Sequence, residues 1–127
     1  MGISQKQINA VIALSGPKRY EHFIKKIADL EVVWGLYLDG WALAGMGEGI
    51  KLFPVWPQEE YALLSAAQAW SGYVPKSFCL KYFVDDLLPE LERDEIGVSV
   101  FYTPFDAGVV PSFEQLREDI KKELRNY

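Results

Sequence analysis

The sequence predicts an α+β fold in which an antiparallel three-stranded meander is extended by one or two later strands and covered by about five helices. Three observations carry that expectation. The stretch from Val32 to Pro57 alternates apolar with small or polar residues and holds two turn signals, which is the period of strands with one face in the core. Stretches before and after it repeat apolar residues every three or four positions, the period of a helix with one buried side. Strands and helices do not alternate one for one, which argues against a doubly wound parallel sheet.

Ser4 and Gln7 have the spacing of a capping box, and Ile8, Val11 and Ile12 follow at helical spacing, so a first helix is predicted from about Gln5 to Leu14. Ser15-Gly16-Pro17 interrupts it. Pro17 suits the first turn of a second helix, whose Tyr20, Phe23, Ile24 and Ile27 form one stripe. Its opposite face carries Lys18, Arg19, Glu21, His22, Lys25, Lys26 and Asp29. In the meander, Val32, Trp34, Leu36 and Leu38 keep the strand period. Asp39-Gly40 is expected to make a two-residue type I′ turn into a second strand, Trp41 to Gly45, because both central positions need positive φ. Met46-Gly47-Glu48-Gly49 is the next hairpin loop. A third strand begins at Ile50 and reaches Pro54, whose missing N–H puts that end at a sheet edge or outside the sheet.

Pro57 is expected to open a third helix, with Glu59 and Glu60 in its first turn, where the macrodipole favours negative charge. From Tyr61 to Trp70 only Ser65 and Gln68 are polar, so burial round most of the circumference is expected, with Gly72 ending the helix. Tyr73 to Leu80 reads as an extended link or short strand. Leu80, Phe83, Val84, Leu87, Leu88 and Leu91 form the stripe of a fourth helix, and Pro89 inside it predicts a kink or break near Leu88. Ile96, Val98, Val100 and Tyr102 alternate as a fourth strand, and Val109 with Val110 offers a brief fifth. Ser112 and Gln115 repeat the capping box before a last helix through Phe113, Leu116, Ile120 and Leu124.

Several of these segments carry a family signature. Trp34-Gly35-Leu36, Gly40-Trp41-Ala42, Leu52-Phe53-Pro54-Val55-Trp56-Pro57, Tyr61-Ala62, Gly72-Tyr73 and Phe101-Tyr102-Thr103-Pro104 resemble the bacterial family catalogued as domain of unknown function 2750, DUF2750. The resemblance runs from about Tyr20 to the C-terminal helix and rests chiefly on the Phe-Pro-x-Trp-Pro run. It implies a small stand-alone bacterial protein. It brings no established activity, ligand or catalytic residue.

The chain of 127 residues, half of them apolar, is read as a single domain over 1–127. That length buries about two thirds of its unfolded surface, enough for a core of its own. No apolar run approaches the roughly 20 residues that span a bilayer, and the first residues lack the charged and apolar regions of a secretion signal. Met1-Gly2 invites myristoylation, but position six is Lys6 rather than Ser or Thr. One cysteine, Cys79, excludes an internal disulfide and agrees with a reducing compartment. A cytoplasmic protein without membrane contact is expected.

The net charge of −5 is concentrated. Asp85, Asp86, Glu90, Glu92, Asp94 and Glu95 stand against Arg93 alone, a local balance of −5, so everything else sums to zero. Lys6, Lys18, Arg19, Lys25 and Lys26 against Glu21 and Asp29 give the first thirty residues a balance of +3. Such a small basic face on an acidic chain does not supply the many phosphate contacts that nucleic-acid binding needs. The charges do suit a homodimer that sets the basic second helix against the acidic fourth.

The chemistry-bearing residues are few. Gly45 to Gly49 invites a phosphate-loop reading, but a strand rather than a helix follows, and a hairpin loop is the better account. His22 and Cys79 are each the single residue of their type; a nucleophile pair needs contact, whereas His22 lies beside Arg19, Lys25 and Lys26, and Cys79 lies in the apolar run Phe78-Cys79-Leu80. One His and one Cys do not make a zinc site, and the acidic run lacks the spacing of a calcium loop. No metal or other cofactor is expected. Pro17-Lys18-Arg19 opens a helix where an anion would fit, although every helix start offers as much.

Two function classes follow. The first is a non-catalytic protein-interaction module, inhibitor- or immunity-like, that docks a basic protein on Asp85, Asp86, Glu90 and Glu92. The second is a small-molecule-binding protein or an enzyme working through carboxylates such as Asp39, Glu48, Glu59 or Asp106. Its site would lie between the Gly40-Trp41 hairpin, the Pro54 to Tyr61 segment and the Asp106 loop, with Trp41 and Trp56 partly exposed there and Trp34 and Trp70 in the core. The lack of a nucleophile set or metal set points away from catalysis.

Overall fold

A computed structural model describes residues 3–45 and 47–127. Met46, at the head of the second predicted hairpin loop, lies outside the described residues. The chain is α+β. Its elements are α1 (Gln5–Ile12), α2 (Gly16–Leu30), β1 (Val32–Tyr37), β2 (Ala44–Gly45), β3 (Lys51–Val55), α3 (Glu59–Ala69) and β4 (Val74–Cys79). There follow α4 (Leu80–Tyr82), a π-helical segment (Phe83–Leu87), α5 (Leu88–Arg93), β5 (Gly97–Val100) and α6 (Phe113–Leu124).

Three helix starts are made by serine. The hydroxyls of Ser4, Ser15 and Ser112 accept the N–H of Gln7, Lys18 and Gln115 at 3.2, 3.4 and 3.0 Å, each satisfying one donor that a helix start leaves over. Neither capping box of the described residues makes its return arm, and the Gln115 amide N–H donates to Asp119 at 2.8 Å.

The strands pair differently from a meander. β1 runs antiparallel to β4, from Val32 opposite Cys79 to Tyr37 opposite Val74. β2 pairs antiparallel with β3, and β3 runs parallel to β5, so the second sheet has the order β2-β3-β5. The predicted second strand, Trp41 to Gly45, shrinks to Ala44–Gly45, and its hairpin with β1 keeps a single rung, Tyr37 opposite Trp41. The two-residue turn is therefore a three-residue connection, Leu38 to Gly40, although Asp39 and Gly40 do take positive φ, 54° and 150°. The reason lies on the flank of β1. There Trp34 and Trp56 exchange both backbone hydrogen bonds at 2.9 Å, so the end of β3 takes the place a meander would give to strand two.

Leu52, Pro54 and Trp56 point their backbones to one side of β3 by strand alternation. Leu52 faces β2 and Trp56 faces β1. Pro54 stands between them, where neither neighbour asks for the N–H it lacks.

Residues 80–93 form one helical rod. The Leu88 N–H bonds to the Phe83 carbonyl five residues back, and this wide turn takes in Pro89 without a break. The predicted interruption near Leu88 is thus a π turn that ends at Leu87. Leu80, Phe83, Leu87, Leu88 and Leu91 are all buried, as their spacing requires. α3 departs from expectation. It buries Tyr61, Ala62, Ser65 and Ala66 but leaves Leu63 50% exposed, because only one stripe of the helix meets β1 and β4.

Candidate functional site

The groove of chemical interest lies between the β1–β2 connection and the rod. The rung opposite Tyr37 places Trp41 over the sheet, and glycine at position 35 makes room for it: a Cβ there would stand 3.0 Å from Trp41 Cζ3 and 3.1 Å from Cε3. The indole is held by Tyr37, Phe53 and Phe78 at ring distances of 5.3, 5.7 and 5.3 Å. Across from it the rod offers Tyr82, Leu87 and Leu91, with Phe53 and Ile96 below, around a volume of about 220 Å³. Glu90 and Asp94 stand on its rim. The Lys76 ammonium lies 4.1 Å from the Tyr37 ring centre and 5.7 Å from that of Trp41, so these rings already hold a cation of the chain's own.

The acidic run does not act as one face. Asp85 pairs with Lys81 at 3.5 Å, Glu92 with Arg117 of α6 at 2.9 Å, and Asp94 with Arg93 at 3.8 Å. These pairs are exposed and screened by water. Among the described residues, Asp86, Glu90 and Glu95 have no ion-pair partner. Of the four acids singled out in the sequence, Glu90 alone lines the Trp41 groove, whereas Asp85 borders a separate depression between the rod and α6. Tyr82, Asp94 and Ile96 were not among the candidates. A signal for the first two was present, since Tyr82, Asp86, Glu90 and Asp94 follow one another at four-residue steps along one helical face.

Trp56 is not exposed. It is 0% accessible, and its indole N–H donates to the Tyr102 carbonyl at 2.6 Å. The burial follows from the Trp34–Trp56 bridge, which joins the end of β3 to β1 instead of leaving it at a margin. Trp34 and Trp70 are half-buried rather than core. Trp70 instead forms the wall of a second depression, of about 300 Å³, with Leu43, Ala44, Gly45, Ala69, Tyr102 and Ala107 among its lining. This depression lies between the exit of the first hairpin and the Asp106 loop, close to the cleft that the sequence placed there. Its lining carries no charged side chain. Asp39, Glu48, Glu59 and Asp106 line neither depression.

Asp106 is committed elsewhere. It pairs at 2.8 Å with Arg19, whose side chain is only 5% exposed. The Gly108 N–H, donated to the Asp106 carboxylate at 2.8 Å, and Arg19 hold that carboxyl below its ordinary range. Arg19 also donates to the carbonyl of Leu14, so the helix start at Pro17 does not offer its guanidinium to an anion.

His22 does not sit wholly among cations either. Its ring lies 6.3 Å from Tyr61 and 6.1 Å from Phe101, and burial, then Lys26, pulls its pKa down. Cys79 is exposed and borders the depression between the rod and α6, and the two environments share no residue. Gly47, Glu48 and Gly49 all take positive φ and lead into β3, the geometry of a hairpin loop rather than a phosphate cradle. Among the described residues no three His, Cys, Asp or Glu gather to hold a metal, and no helix is long and apolar enough to cross a membrane.

Fold and groove together define a small α+β domain that presents an aromatic groove with an acidic rim. The chain belongs to the DUF2750 family, described as protein of unknown function, whose family model matches residues 20–120. No curated protein matches it as a relative.

Proposed function

We propose that this chain is a non-catalytic interaction module that docks a basic segment of another protein in the Trp41 groove. The observation that carries this reading is the juxtaposition of Trp41 and Tyr82 with Glu90 and Asp94 round one apolar floor. A volume of about 220 Å³ falls below the roughly 300–1,000 Å³ of small-molecule sites and suits one or two side chains of a partner. Aromatic anchors with charge at the rim are the composition of binding hot spots. The segment that fits carries an aliphatic or aromatic anchor next to lysine or arginine. The same reading makes the chain a single-domain, inhibitor- or immunity-like partner in a reducing bacterial cytoplasm, which the exposed, unpaired Cys79 favours.

The test is titration of the full chain with a short amphipathic peptide rich in lysine and leucine, beside its isomer with glutamate in place of lysine, at low and high salt. The basic peptide is expected to bind more tightly, to weaken as salt rises, and to lose most of its affinity for the Glu90→Lys, Asp94→Lys double variant. Equal binding of both peptides, or an unchanged affinity in the double variant, would end the docking reading.

A further inference from the structure

The depression between the start of the rod and α6 has a volume of about 320 Å³, within the roughly 300–1,000 Å³ of small-molecule sites. Three elements build it. The Leu80 N–H donates to the Glu31 carbonyl at 3.0 Å, which ties the first turn of the rod to the residue after α2. Arg117 reaches from α6 to Glu92 of the rod at 2.9 Å and holds those two together. The apolar stripes of rod and α6 meet beneath, where Leu80 and Ile120, 6% and 1% exposed, form a floor with Val84. Leu124, 38% exposed, extends this surface outward, and most of the accessible lining is apolar.

The charge here runs against that of the chain. Lys81, Arg117 and Lys121 stand on the lining against Glu31 and Asp85, three cations to two acids, on a chain of net charge −5. The Trp41 groove, by contrast, carries Glu90 and Asp94 and no cation. Lys81 is matched to Asp85 at 3.5 Å and Arg117 to Glu92, which leaves Lys121 as the lining cation without an ion-pair partner among the described residues. We propose that this depression binds a small amphipathic anion, a free monocarboxylate with a short unbranched apolar tail. The tail covers Leu80, Val84, Ile120 and Leu124, and the carboxylate meets Lys121. Burial of the tail supplies most of the affinity, and the charges select the head. A cationic head would meet the majority charge of the lining, and a polyanion would find Lys121 alone free to receive it. Glu31 opposes the carboxylate, so its neutral variant tests the charge logic with the opposite sign.

Cys79 supplies the readout, because it is exposed, borders the depression and is the chain's single cysteine. The rate at which N-ethylmaleimide alkylates it in the full chain is followed against the concentration of octanoate, hexanoate, butanoate, acetate or octylammonium. Octanoate is expected to slow alkylation with a Kd of about 1 mM, the scale for a ligand of about ten non-hydrogen atoms. Each methylene removed should weaken protection about two- to fourfold, and octylammonium should protect less than octanoate. Lys121→Gln is expected to weaken octanoate about two- to fivefold and Glu31→Gln to strengthen it by a similar factor. Both side chains are in water, so neither change threatens the fold. An alkylation rate that octanoate leaves unchanged, tail length without effect, octylammonium equal to octanoate, wild-type affinity in Lys121→Gln, or a Glu31→Gln chain that binds more weakly would each overturn the proposal.

Discussion

The Trp41 indole rests on the backbone of Gly35, closely enough that a single methyl group at position 35 would stand 3.0 Å from the ring. The ring has little room to retreat, because Phe53 and Phe78 hold its other sides. Gly35→Ala is expected to cost about 1–3 kcal/mol, the range for overpacking, and Gly35→Val more. Urea unfolding followed by tryptophan emission checks this. Unchanged stability with an unshifted emission maximum would show that the indole moves aside freely.

Trp56 is expected to matter to folding and not to the surface. Trp56→Phe removes the N–H that meets the Tyr102 carbonyl, leaving that acceptor to the Ser65 hydroxyl at 3.1 Å, and opens a gap in the core. A loss of about 1–3 kcal/mol is expected in urea unfolding. Affinity for the lysine-rich peptide, measured where the variant is still folded, should stay at the wild-type value.

Asp106 gives the fold an acid-sensitive tie. Its folded-state pKa is depressed, so its contribution is complete above the ordinary value of 3.8 and is lost as pH falls through the folded value. At pH 7, Asp106→Asn is expected to cost about 1 kcal/mol, a figure kept low because the carboxylate is 46% exposed. The gap between wild type and variant should then close at acid pH, where both side chains are neutral. A gap that stays constant from pH 7 to strongly acid solution would assign the role to shape rather than charge.

How much of this was visible in the sequence depends on the range of the interaction. Helix starts were legible because Ser4 and Ser112 act within one turn, and the rod's stripe from Leu80 to Leu91 was legible because helical spacing is local. Strand partners were not. Val32 to Leu38 shows its alternation in the sequence, but nothing in it names Val74 to Cys79 as its neighbour, since pairing is decided by which flanks the whole core leaves open. The same limit governed the site. Trp41 could be placed at a hairpin exit, whereas its meeting with Glu90 depends on the rod crossing that exit, and Trp56 was misplaced because its cover comes from Trp34 and Tyr102.

The parallel pairing of β3 with β5 has a consequence for the order in which the chain can be completed. Leu52 meets Gly97 and Val55 meets Val100, and α3, β4 and the entire rod lie between the two strands. Closing so long a segment costs entropy before the pair returns anything. A ribosome that has released the rod but not yet residues 97–100 therefore holds a chain whose central strand has one side bare. Its last strand arrives late, and until then the edge of β3 that faces β5 stands open to pairing with other chains.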